Sequence, residues 1–256
     1  MDRLDERLLS REVPRSNTST IRVSLTTNQR ELSEAQALRW RVFSDEMGAR
    51  LPSKTFGIDE DIFDPHCDHL IARDTQTDQV VGTYRLLSPQ NARRIGCYYA
   101  DAEFDLTRLQ LLREGLLELG RACVHPEYRS GKVISQLWQA ILEYARNRNI
   151  RYLAGCASMS MLDGGHGAAS AYAQLPDVFR APIEYGVFPR TPLPIDQLDQ
   201  SRAAQIPALI KAYLRSGAWI GGAPAWDPEF NTADFFIFLP MSRLTLRYAK
   251  HHGVAS

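Results

Sequence analysis

The stretch ELGRACVHPEYRSGK, residues 118–132, sets a carboxylate and a guanidinium three positions apart among small residues. If LLELGRACV (116–124) is a strand, its side chains alternate between faces. Glu118, Gly120, Ala122 and Val124 then share one side, and Leu117, Leu119, Arg121 and Cys123 the other. The first face is nearly bare backbone beside one carboxylate, which suits a ligand lying along the strand with the acid at its reacting group. Arg121 would join Glu118 only across a bulge near Gly120. A buried Glu–Arg ion pair with a purely structural job accounts for the same residues equally well.

HPEYRSGK then reads as a tight turn into a helix over 133–149. The N–H groups and dipole of that helix start attract a phosphate, and Arg129 and Lys132 would add charge, although basic residues at a helix start are also ordinary surface. Arg39 and Phe43 stand four apart in ELSEAQALRWRVFSDEMG (31–48), where an arginine stem packed on an aromatic is the plain reading. Asp61 and Asp64 fall in the acidic loop GIDEDIFDPHCDH (57–69) with Asp59 and Glu60. That loop is either solvated, or it attracts an amine, or Arg39 orders it. Arg85 in GTYRLL lies in a strand, where an arginine points to function or ion pairing. His66, Cys67 and His69 lack zinc-site spacing and no CxxC or HxxxH completes one, so no metal is expected. His125 before Pro126 reads as a turn residue, and Cys123 and Cys156 as small core residues.

The chain that must position these groups has 256 residues, 44% of them hydrophobic, enough for a substantial core. Lysine plus arginine and aspartate plus glutamate balance at 30 each, which excludes the global basic field of a nucleic-acid binder. No apolar run reaches the roughly 18 residues of a membrane span, and MDRLDERLLSREVPR is too charged for a secretory signal. Four scattered cysteines read as reduced thiols, and a cytoplasmic location is expected. Residues 1–20 read as a mobile leader and 21–256 as a single domain. Strands are expected at 21–27, 69–74, 79–88, 116–124, 151–158 and 234–240, and helices at 31–48, 133–149, near 166–175 and from 206 into a strand near 219. Residues 89–115 read as irregular. This is a mixed α/β sheet.

The order of elements and E-x-G-R-x-x-V-H-P-E-Y-R before a helix resemble the GCN5-related N-acyltransferase fold, a mixed, mostly antiparallel central sheet flanked by helices. LRWRVFSDEMG, GIDEDIFD, GTYRLL and ELGR are similar, in order and spacing, to the blocks of acyl-homoserine-lactone and long-chain N-acyl amino acid synthases. CDHLIARD, YYADAEFDL, GRACVHPEYR, YLAGCASM, LIKAYLRSGA and FNTADFFIFLP resemble the ornithine lipid biosynthesis acyltransferases, over about residues 30 to 252.

The resemblance implies transfer of a long 3-hydroxyacyl chain from acyl carrier protein to the α-amine of L-ornithine, giving lyso-ornithine lipid. It implies catalytic roles for Glu118, Arg121 and Tyr172, the last in HGAASAYAQL, and substrate contacts from Arg39, Phe43, Asp61, Asp64 and Arg85. It implies that Gly120, Ala122, Val124, Arg129, Gly131 and Lys132 hold a pantetheine arm, with no separate cofactor. The turn Arg129-Ser-Gly-Lys-Val-Ile134 displaces the fold's usual glycines, as a carrier-protein donor with one phosphate would allow. Another amine acceptor, or a non-catalytic acyl-binding module, are the competing expectations. Residues 98–117 and 234–240 are candidate walls of an acyl slot, and plain core accounts for them equally well. The basic SRLTLRYAKHHG, with Arg243, Arg247 and Lys250, suits either a solvated helix or peripheral contact with an anionic inner leaflet.

Overall fold

The computed structural model describes residues 20–51, 53–203 and 205–244. Apart from Thr20, the expected leader lies outside these residues, as do Arg247 and Lys250 of the basic C-terminal segment. Ten strands form in chain order: β1 Ile21–Leu25, β2 Asp68–Asp74, β3 Val80–Leu87, β4 Phe104–Asp105, β5 Leu116–Val124, β6 Tyr152–Ser160, β7 Phe188–Pro189, β8 Trp219–Ile220, β9 Ala225–Asp227 and β10 Thr232–Pro240. The helices are α1 Gln29–Trp40, α2 Pro89–Ile95, α3 Lys132–Asn147, α4 His166–Ala173 and α5 Ala208–Ser216. The main sheet runs β1-β2-β3-β5-β6-β10-β8, with β9 on the same edge of β10, and β4 pairs with β7 apart from it. Every pairing is antiparallel except β5 with β6. Mixed, mostly antiparallel and flanked by helices, this is the expected GCN5-related acyltransferase architecture.

One face of the sheet packs on α3, α4 and α5. Val133, Leu137, Ile141 and Ala145 line one side of α3 at helical spacing and bury against Val81, Leu117, Leu119 and Leu153. The approach is close at Gly82, where a Cβ would come within 2.6 Å of a Val133 methyl. The opposite face is covered in two parts. Around α1, Ala35, Leu38, Val42 and Phe43 pack with Ile71, Val80 and Cys123. Further along, Tyr98, Phe104, Leu106 and Leu109 close over Leu87, Leu116, Ala154, Phe236 and Phe238.

The short strands β4, β7 and β9 lie outside the expected strands, and two longer stretches also depart from expectation. The helix expected over 31–48 is α-helical only to Trp40 and continues as a π-helix over Arg41–Glu46. Its start is capped by Asn28, whose side chain accepts from the Glu31 N–H at 3.0 Å. The π turn, a form frequent at functional sites, brings Val42, Phe43, Glu46 and Met47 to one cavity wall. The irregular stretch 89–115 is ordered instead as α2 and two 3₁₀ helices, Tyr99–Ala102 and Thr107–Gly115. Ser88 caps α2, the left-handed Gly96 ends it, and a Tyr98–Asp101 capping box starts the next turn. Short 3₁₀ turns carry no apolar period, so a pattern search passes over them.

Candidate active site

β5 pairs with β6 only over Leu116–Glu118 against Tyr152–Ala154, although β5 continues to Val124 and β6 to Ser160. Beyond Glu118 the two strands part. Gly155 sits at the fork, where a Cβ would come within 2.1 Å of the Leu119 carbonyl oxygen, so no larger residue fits. A cavity of about 430 Å³ fills the gap. Its lining includes Tyr84, Leu209 and Tyr213 from the α5 side and Phe43, Phe63, Tyr99 and Phe230 from the other, so it passes through the sheet. Every residue from Glu118 to Val124 lines it.

The bulge expected near Gly120 is present. Arg85 pairs with Gly120 but Thr83 with Cys123, and Arg121 takes φ +49°, a left-handed conformation uncommon outside glycine. One extra residue reverses the alternation beyond it. Ala122 and Val124 therefore pack toward α3, while Arg121 and Cys123 join the face that carries Glu118. The shared face proposed for Glu118, Gly120, Ala122 and Val124 thus splits at the bulge. All four still meet the cavity, because the cavity crosses the sheet.

Glu118 is 6% exposed, and its two oxygens accept from the N–H groups of Tyr99 and Ala100, each at 2.8 Å. Burial raises its carboxyl to about 7, partly offset by those two N–H donors. A carboxylate offers about four lone-pair directions, so acceptor capacity remains on the cavity side. Beside it three arginines interlock with three aspartates. Arg39, fully buried, donates to Asp59 at 2.7 Å and to both oxygens of Asp64 at 3.0 and 2.7 Å. Arg85 reaches both oxygens of Asp61 at 2.7 Å and Asp64 at 3.1 Å. Arg121 donates to Asp61 at 3.0 Å and lies 3.2 Å from Asp59.

Burial alone would raise the Asp61 and Asp64 carboxyls. Arg85 and Arg121 hold the first below the ordinary range, and Arg39 and Arg85 the second far below it. The loop read as acidic is thus a set of counter-charges ordered by Arg39, as one expectation allowed. The Tyr99 ring lies 5.6 Å from the Arg85 guanidinium and 5.0 Å from that of Arg121, which also faces Phe230 at 4.7 Å. Phe43 meets Phe230 edge-on at 5.8 Å.

Not every candidate converges here. Arg129 lines the cavity but is paired with Glu46 and donates to the Val124 carbonyl at 3.0 Å. Gly131, at φ +94°, and Lys132 are exposed at the start of α3 and do not line the cavity. Tyr172 lies outside it too: on α4 it packs on the core, with the Arg180 guanidinium 4.7 Å above its ring. The cavity's tyrosines are Tyr84, Tyr99 and Tyr213. The hydroxyls of Tyr84 and Tyr213 meet, and burial raises both above the ordinary phenol range, so they stand as O–H donors at neutral pH. Of the two readings of 98–117 and 234–240, plain core holds for most of the stretch, with Phe104, Leu109, Phe236 and Phe238 fully buried in one layer. His125 is a turn residue, its Nδ1 accepting from the Glu127 N–H at 3.4 Å. Arg243 lies over the Trp219 ring at 3.9 Å and donates to the Gly217 carbonyl.

Asp59 and Tyr99 were not singled out from sequence. Asp59 could have been paired with Asp61 and Asp64, since three arginines in other blocks need three partners. Tyr99 lies in the block YYADAEFDL, but its role depends on the 3₁₀ turn that Glu118 caps, which the block alone does not reveal.

Residues 38–139 match the acetyltransferase (GNAT) domain model. The chain is 37% identical over 91% of its length, and 89% of the relative's, to an L-ornithine N(alpha)-acyltransferase of Brucella abortus. It is 35% identical to that of Agrobacterium fabrum, over 91% of this chain and 85% of that one.

The chain belongs to the L-ornithine N(alpha)-acyltransferase family.

Its fold is shared more distantly with the AHL synthase LasI, at 14% identity and TM-score 0.52 over 86% of this chain and 90% of that one. FeeM, an N-acyl amino acid synthase from uncultured soil microbes, superposes with TM-score 0.51 at 12% identity, over 89% and 98%. As an L-ornithine N(alpha)-acyltransferase, the chain acylates the α-amine of L-ornithine.

Proposed function

We propose that the acyl donor is a long-chain 3-hydroxyacyl thioester on the phosphopantetheine of acyl carrier protein, and that the product with L-ornithine is a lyso-ornithine lipid. The observation that carries this is the gap between β5 and β6, with Glu118 at its closed end and Gly120 bare beside it. A pantetheine arm enters the gap and pairs with the free backbone edge of β5 from Gly120 to Val124. Arg129 at the cavity wall is the nearest candidate for the arm's phosphate once Glu46 yields it. No further cofactor takes part.

The chemistry follows from proton accounting. An α-ammonium of pKa near 8 is deprotonated at neutral pH for about 1.4 kcal/mol, whereas a side-chain amine near 10.4 costs roughly 4–5 kcal/mol. Glu118, directly or through a water, takes the proton as the α-nitrogen attacks the thioester carbonyl. The oxyanion is held by N–H groups of the unpaired part of β5. Collapse breaks the C–S bond, the amide forms, and the thiolate leaves with a pKa of about 8.5. Tyr213, hydrogen-bonded to Tyr84, protonates that thiolate in place of Tyr172, which lies outside the cavity. The apolar walls at Phe43, Met47, Phe63 and Phe230 receive the start of the chain. Among the described residues no helix is long and apolar enough to cross a membrane.

The test supplies purified protein with 3-hydroxypalmitoyl carrier protein or its coenzyme A thioester and a pool of amino acids and amines, read by mass spectrometry. N-(3-hydroxyacyl)ornithine formed faster from the carrier-protein donor supports the reading. Equal or faster use of the coenzyme A thioester overturns the donor assignment.

A further inference from the structure

We propose that Glu103 and Asp234, with the Cys156 thiol beside them, form the subsite that receives the side-chain ammonium of the acceptor and so select a dibasic amino acid over a neutral one. This rests on the ornithine-acylating reading above. The three residues come from distant parts of the chain. Glu103 ends the 3₁₀ turn that Glu118 caps, its N–H donating to the Ala100 carbonyl. Cys156 is on β6 and Asp234 on β10, and one ligand atom from each of the three lies within 4.8 Å of the other two. Cys156 and Asp234 line the same cavity as Glu118, together with Ser158, Asp227 and Thr232.

Placement suits the substrate. Glu118 pairs with Ala154, and Cys156 lies two residues farther on the same face of β6, roughly 6.5 Å along the strand. The three methylenes of an extended ornithine side chain bridge such a separation between an α-amine at Glu118 and a terminal amine at the cluster.

The cluster also lacks what an ammonium would bring. Both carboxylate oxygens of Glu103 are buried, and among the described residues of the cluster only the Asp234 carboxyl and the Cys156 thiol reach them. Asp234, 4% exposed, accepts from the Thr232 hydroxyl at 3.0 Å. Arg39, Arg85 and Arg121 are already matched by Asp59, Asp61 and Asp64, so no arginine of the network neutralises these acids. Burial raises both carboxyls, with the charge of Asp234 adding to the rise at Glu103 and that of Asp227 to the rise at Asp234. A –NH₃⁺ group offers three donors and a compensating charge to this pair of acids, of which Asp234 accepts from a hydroxyl.

The measurement compares ornithine with norvaline, which has the same chain without the terminal amine, in wild type, Glu103→Gln and Asp234→Asn. The expected result is a KM for ornithine at least tenfold higher in each variant, kcat within about threefold, and an ornithine-over-norvaline ratio of kcat/KM at least tenfold lower. If both substrates decline in parallel with the ratio intact, the acids are structural and the proposal is overturned. If the variants fail to fold, calorimetry on wild type decides. Tighter binding of ornithine than of norvaline, with protons released only for ornithine, supports the subsite, and equal binding overturns it. A stoichiometric divalent metal in wild type, lost in Glu103→Gln, also overturns it. Wild type that acylates another amine but not ornithine sinks the functional reading itself, an outcome distinct from all of these.

Discussion

Glu118 does two jobs with one carboxylate. Its oxygens fix the turn that carries Tyr99, and its remaining lone pairs face the cavity at a pKa of about 7. The wild-type kcat/KM should therefore climb through pH 7 as Glu118 loses its proton. In Glu118→Gln that limb should vanish and the rate fall by about 10²–10⁴-fold, as initial-rate pH profiles of the two proteins would show. Arg39 is of a different kind, since nothing but its own aspartates touches its charge. Arg39→Ala should cost about 3–5 kcal/mol in urea denaturation, because Asp59 and Asp64 would stay buried with only the longer contacts to Arg121 and Arg85 to balance them. Gly120 separates ligand space from packing space. A Cβ there meets nothing nearer than the Arg85 Nε at 4.0 Å, so Gly120→Ala should melt within a degree or two of wild type. Its kcat/KM should nevertheless drop at least tenfold, because the methyl group occupies the channel. Equal activity in the two proteins would mean that the acyl arm takes another path.

At the scale of elements, the site is made by two irregularities in β5. The bulge at Arg121 turns that side chain onto the face of Glu118, and the parting from β6 opens the channel. Both are local and both depend on neighbours. Gly155 marks the fork, where β6 runs against the Leu119 carbonyl with no room for a methyl group. Gly155→Ala should force β5 and β6 further apart and destabilise the protein by about 1–3 kcal/mol, measured by urea denaturation. The π turn after α1 is a third irregularity, and it delivers Phe43 and Glu46 to the wall opposite β5. Regular elements hold the sheet together, and the departures from regularity shape the cavity.

For the molecule as a whole, buried acids divide by the sign of their shifts. Asp61 and Asp64 are depressed by arginines, so their contribution to stability is present above about pH 4 and lost as the pH falls through their folded values. Glu103, Glu118 and Asp234 are raised, so theirs is complete below about pH 4 and lost as the pH rises through their folded values. His69, lowered by burial, opposes them as it takes up a proton in acid. Asp234→Asn should therefore gain melting temperature relative to wild type between pH 5 and pH 8, and a constant difference across that range would refute the assignment. By itself the sequence determined the long strands of the main sheet and the amphipathic α3, because apolar period is a local property, and it carried the blocks around Arg39, Asp61, Asp64, Arg85, Glu118 and Arg121 through their resemblance to known acyltransferases and synthases. Only the tertiary structure decided that Asp59 completes the charge network, that Tyr172 stands apart while Tyr84 and Tyr213 meet, and that Glu103, Cys156 and Asp234 converge. Those outcomes depend on a bulge, on 3₁₀ turns and on a pairing between β6 and β10 across more than seventy residues, and none of these leaves a periodic trace in the chain.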